Sequence, residues 1–128
     1  MKENKDLGLF LIRLALAAVF IAHGWIKLNG LGATEAFFDN VGIPAAGAMA
    51  VIVALVEFLG GIALLLGIFT KWAAGLIAVT MLVAILQVKG KMGFIGGFEF
   101  DLTLLLAALA LIFTGAGEWT VKRLVRRS

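Results

Sequence analysis

The chain has 128 residues, 62% hydrophobic and only 15% charged, with a mean hydropathy of +1.10; a soluble domain of that length has too little interior to hide so much apolar side chain, so lipid is the expected solvent. Cysteine is absent, which excludes disulfides, thiol redox chemistry, zinc thiolates and iron–sulfur clusters, and the single histidine excludes a bis-histidine haem within one chain, so no metal site is expected. The net charge of +3 is too small, and too concentrated at the C-terminus, to argue for nucleic acid.

A helix that crosses a bilayer needs about 20 apolar residues. The first such stretch runs from Leu7 to about Leu28. Lys2 and Lys5 before it look like the start of a signal peptide, but Arg13 interrupts the run and no small-residue cleavage site follows, so it reads as a retained span. A loop from Asn29 to Ile43 comes next, with Thr34 to Phe38 suited to an interfacial turn. The second span is expected from Pro44 to Phe69, with Pro44 in the first helical turn, where its missing N–H is no loss. Thr70-Lys71 reads as a tight hairpin, and the third span runs from Trp72 to about Val88. Lys89 and a glycine-rich connection, Gly90 to Gly97, lead to a fourth span from about Phe98 to Thr114, stopped by Gly115 and Gly117. A basic tail covers residues 119–128. Backbone polar groups in hydrocarbon must be satisfied within each segment, so the expected fold is all-α: a single membrane domain built as a transmembrane four-helix bundle.

Four crossings place both termini and Lys71 on one side. That side carries seven basic residues (Lys2, Lys5, Lys71, Lys122, Arg123, Arg126 and Arg127) and the other carries three (Lys27, Lys89 and Lys91). The excess puts both termini in the cytoplasm. Trp25, Trp72 and Trp119 fall near span ends, as in an aromatic belt. The stretch from Glu57-Phe58 to Ile68-Phe69-Thr70 is faintly echoed from Glu99-Phe100 to Ile112-Phe113-Thr114. Chance similarity between two Leu/Ala-rich helices explains this more simply than duplication does.

Ionisable groups inside a span are rare, face the bundle interior, and pair or line a functional cavity. At 100° per residue, Arg13, His23 and Lys27 share one face of the first helix. Lys27 alone is also explained by snorkelling to the outer interface. Glu57 lies near the middle of the second span, where an ionised carboxylate needs a partner. Measured from the span ends, Arg13 comes within reach of Glu57, so an Arg13–Glu57 ion pair is expected, in a structural or a functional role. His23 and Gln87 fall at similar depth toward the outer side. Glu99 and Asp101 begin the fourth helix, where carboxylates complement the helix dipole, and Glu99 shares a face with Thr103. His23, Glu57, Gln87 and Glu99 are therefore the candidate lining of a polar pocket in the outer half of the bundle, with Lys27 and Asp101 as outer-side charges. A hydrogen-bonded structural histidine is the plainer alternative for His23. Gly60-Gly61, with Ala63, permits close approach of another helix. The tail residues Lys122, Arg123, Arg126 and Arg127 are suited to anionic headgroups.

Taken together these residues resemble the DoxX family of small four-span bacterial membrane proteins. The resemblance rests on Arg13, Phe20, His23-Gly24 and Lys27-Leu28, then Val56 to Gly61 with Leu66-Gly67 and Phe69-Thr70. It continues through Gly96-Gly97-Phe98-Glu99-Phe100 to Thr114-Gly115-Ala116-Gly117, so it spans roughly Leu7 to Trp119. It implies a multi-pass protein of the bacterial plasma membrane, associated with oxidoreductase complexes or with responses to quinones. It supplies no catalytic mechanism. No flavin or nicotinamide fingerprint is present, so no intrinsic cofactor is expected, and a quinone is the candidate ligand. The leading functional reading is a redox-associated subunit that binds a quinone-like molecule. A non-catalytic scaffold or chaperone and a small transporter or proton pathway are the alternatives. Candidate partners are membrane lipids, a partner oxidoreductase or other membrane proteins, and a second copy of the chain.

Overall fold

The computed structural model describes residues 3–127; Lys2 and the Arg127 side chain, counted above among the basic groups, lie outside the described part. Helix α1 covers Lys5–Leu28, opening where the Asn4 side chain accepts a hydrogen bond from the Leu7 N–H at 3.0 Å. The loop expected next is largely a second helix, α2 (Leu31–Asn40), which buries Phe38. Helix α3 covers Ala46–Leu66, so Pro44 sits in the preceding turn and not inside the helix. Gly67 closes α3 in the left-handed conformation (φ 73°), with the Ile68 N–H returning to the Ala63 carbonyl. The reversal is therefore Gly67 to Phe69, and Thr70 and Lys71, expected as the hairpin, are the first residues of α4 (Thr70–Ala84).

Beyond α4 the chain stays helical but changes pitch. A π-helical turn covers Ile85–Lys89 and a 3₁₀ turn covers Gly90–Met92. A second π-type turn, Phe94–Phe98, is broken at Ile95 and Gly96, and α5 follows over Glu99–Thr114. The basic tail contains a further short helix, α6 (Val121–Arg127).

Among the described residues, four helical stretches are long and apolar enough to cross a membrane: Lys5–Leu28, Ala46–Leu66, Thr70–Met92 and Phe94–Thr114. Helix α1 packs on α3, α4 packs on α5, the α3–α4 contact joins the two pairs, and α2 lies against α3. Leu16, Phe20, Leu64, Ile77, Met81 and Leu111 form the centre. Helices α4 and α5 pack together and carry buried alanines (Ala73, Ala74, Ala78 and Ala108), small enough for close backbone approach. Large apolar groups such as Trp72, Ile95 and Phe113 point outward. Water would not tolerate so many, whereas hydrocarbon does. The protein is an all-helical, multi-pass membrane protein in contact with lipid.

Candidate functional site

The positions of Arg13, Lys27 and Glu57 follow from the register between α1 and α3, and Gly24 and Gly61 mark that register. A Cβ on Gly24 would overlap the Phe58 backbone, and one on Gly61 would lie 2.9 Å from the Ile21 nitrogen. The Trp25 and Phe58 rings meet at 5.9 Å at the same level. Glu57 thus lies opposite Trp25, two residues from Lys27 but twelve from Arg13, roughly 18 Å of helix rise. The start of α3 extends roughly 12 Å past the end of α1 on the same reckoning, and α2 packs against α3.

The expected Arg13–Glu57 pair is accordingly not formed. Arg13 is 1% exposed and lies level with the end of α3. Its Nε donates to the Leu64 carbonyl (2.8 Å) and Nη2 to that of Leu65 (3.0 Å); Nη1 donates to Trp119 (2.7 Å) and Ala116 (3.2 Å). The first two carbonyls belong to the last turn of α3, which has no intrahelical donors and carries the negative end of the helix dipole. The other two lie in the connection between α5 and α6. Phe10 stacks beneath the guanidinium at 5.6 Å and meets the Trp119 ring at 5.5 Å. Arg13 is thus a structural tie between α1, α3 and the α5–α6 connection.

Glu57 has a different partner. Lys27 Nζ donates to both of its carboxylate oxygens, at 2.6 and 3.0 Å, and Glu57 is 2% exposed. Lys27 therefore turns inward; it does not snorkel to the outer interface. A second pair lies nearby, between Lys89 at the end of the π turn and Asp101 in the first turn of α5, at 3.5 Å. Its geometry gives no hydrogen bond, and Asp101 Oδ2 is buried without one.

These two pairs line one cavity of about 450 Å³. His23, exposed and one turn before Lys27, lines it as well, and Thr80 adds a hydroxyl. The remaining wall is apolar, with Phe20, Met81 and Phe100 among it. Of the four pocket residues expected from sequence, His23 and Glu57 meet in this cavity, while Gln87 and Glu99 do not. Gln87 is exposed on the π turn. Glu99 is exposed too, and its carboxylate accepts the Gly96 N–H at 3.2 Å, capping the chain break. The Thr103 hydroxyl binds the Glu99 backbone carbonyl, not its carboxylate. The sequence echo between Glu57 and Glu99 has no counterpart in their surroundings: one carboxylate is buried mid-helix, the other exposed at a helix start. Sequence reading missed the Lys89–Asp101 pair and treated Asp101 mainly as a dipole cap. Its signal was two opposite charges flanking the glycine-rich break.

Four lipid-facing helices around a mostly apolar cavity lined by two Lys–carboxylate pairs define a small four-span membrane protein. The chain belongs to the DoxX family, whose family model matches residues 8–90. It is 35% identical to a Bacillus subtilis protein named "Putative oxidoreductase CatD", over 91% of this chain and 85% of that protein. It is 32% identical to the inner membrane protein YqjF of Escherichia coli, over 99% and 98% respectively. An uncharacterized membrane protein of Mycobacterium tuberculosis is 34% identical over 88% of this chain and 77% of its own length. No solved structure matches the chain.

Proposed function

We propose that this protein is a redox-associated membrane subunit that holds a quinone-like molecule in the cavity between the two ion pairs. The observation that carries the reading is the cavity itself: about 450 Å³, mostly apolar, with a few polar groups converging on it. That volume lies within the range of small-molecule sites, about 300–1,000 Å³, and its polarity suits one aromatic headgroup. His23 and the remaining ammonium proton of Lys27 supply donors for a ring carbonyl. A relative whose name carries an oxidoreductase assignment is consistent with a redox setting. Electrons come from a partner protein in this scheme, since no residue of the chain is itself a redox centre. The termini and the basic tail face the cytoplasm. Lys27 and Lys89 on the opposite side are neutralised by Glu57 and Asp101, which sharpens the charge asymmetry.

The test is titration of the protein in lipid nanodiscs with a decyl-substituted benzoquinone. Saturable binding weakened about tenfold or more by His23→Ala and by Glu57→Gln supports the reading; no binding of any quinone in either redox form sinks it. One observation favours a non-catalytic scaffold: both Glu57 oxygens already accept from Lys27 without a ligand. For that reading, crosslinking in native membranes would recover the same partners with wild type and His23→Ala.

A further inference from the structure

The two ion pairs lining the cavity are not equivalent, and the difference carries information about the ligand. Both oxygens of Glu57 accept from Lys27. Asp101 is 6% exposed, its Oδ2 is buried without a hydrogen bond, and Lys89 Nζ stays 3.5 Å from that oxygen. A buried carboxylate ordinarily accepts at least one hydrogen bond, and in its ionised form it has only acceptors to offer. What completes it must bring an O–H or N–H. A quinone brings only carbonyl oxygens and would set lone pairs against lone pairs at this end of the cavity. The reduced form of the same ring carries two phenolic O–H groups.

We propose that Asp101 receives a phenolic O–H, so that the cavity binds the hydroquinone form in preference to the quinone. The inference rests on the quinone-like ligand argued above and adds the redox form that the site selects. Lys89 stands beside the Asp101 carboxylate, while Lys27 and His23 meet the oxygen at the other side of the ring. No electron transfer is required of the chain for this preference: it is a difference in binding alone.

Three probes in nanodiscs under anaerobic conditions test it: decyl-benzohydroquinone, its dimethyl ether, and decyl-benzoquinone. The ether keeps the ring and both oxygens but has no O–H. The expected result is hydroquinone binding at least about tenfold tighter than either of the others, the size of one hydrogen bond to a charged group. Asp101→Asn should erase that preference, because its amide accepts from a phenolic O–H and donates to a quinone carbonyl alike. If that variant does not fold, the comparison of the three probes on the wild-type protein still decides. Equal affinities, or tighter binding of the quinone, overturn this inference and leave the quinone-site reading standing. Binding of none of the three overturns both.

Discussion

Lys27 and Glu57 hold each other in the same ion pair, yet removing one should not cost what removing the other does. Glu57 is 2% exposed and cannot reach water, whereas the Lys27 side chain is about a quarter exposed on a flexible stem. Glu57→Gln leaves an ammonium that can swing outward along its methylenes. Lys27→Met leaves a carboxylate stranded in the interior, the situation in which breaking a buried pair costs about 3–5 kcal/mol. The expected order of unfolding stability in mixed micelles is therefore wild type, then Glu57→Gln about 1 kcal/mol lower, then Lys27→Met lowest. The double variant should recover most of what Lys27→Met loses, because no charge then remains without its partner. If Glu57→Gln proves as costly as Lys27→Met, Lys27 is held more rigidly than its exposure implies. Arg13 differs in kind: its fork of donors is matched to four carbonyls, so its charge serves helix ends and a chain connection.

At the scale of elements, the irregular stretch from Ile85 to Phe98 brings Val88 and Lys89 to the cavity and is broken at Ile95 and Gly96. The break at Ile95 and Gly96 is bridged by the Phe98 N–H to Gly93 carbonyl bond (3.0 Å) and by the Glu99 carboxylate on the Gly96 N–H. Glu99→Ala removes the second of these. The cost expected is that of a lost cap, about 1 kcal/mol, felt locally: amide exchange over residues 94–98 should quicken several-fold while the α4 core around Ile77 stays unchanged. Uniform acceleration across both segments would show instead that the carboxylate supports the whole bundle. The four spans and the glycine-rich break were legible in the sequence, because hydropathy and glycine report directly on solvent and backbone freedom. Gly60-Gly61 was legible as a place of close approach for the same reason. The register was not. Measuring depth from the span ends treats α1 and α3 as level, and only the contacts of Gly24 with Phe58 and of Gly61 with Ile21 reveal the offset that separates Arg13 from Glu57. The π turns were illegible too: no local signal marks an added residue per turn, so Gln87 and Glu99 were assigned inward when they face out. The partner of Asp101 lay hidden because Lys89 approaches it across the whole break.

For the whole molecule, the unequal charge of the two ends makes a prediction about sidedness that the cavity inherits. The terminal side keeps an excess of basic groups, while the side holding the cavity has Lys27 and Lys89 tied to internal carboxylates. The absence of cysteine makes the test clean, since any label must report the residue introduced. Glu3→Cys lies just before α1, and Met92→Cys lies in the 3₁₀ turn between α4 and α5; both positions are exposed. A membrane-impermeant maleimide added to intact cells should label Met92→Cys and spare Glu3→Cys until the membrane is opened. That pattern would put Lys89, Asp101 and the nearby mouth of the cavity toward the cell exterior, so that a ligand enters from the outer leaflet. The reverse pattern would mean that loop charge does not set this topology, and it would bring the same ion pairs to the cytoplasmic leaflet, within reach of soluble electron donors.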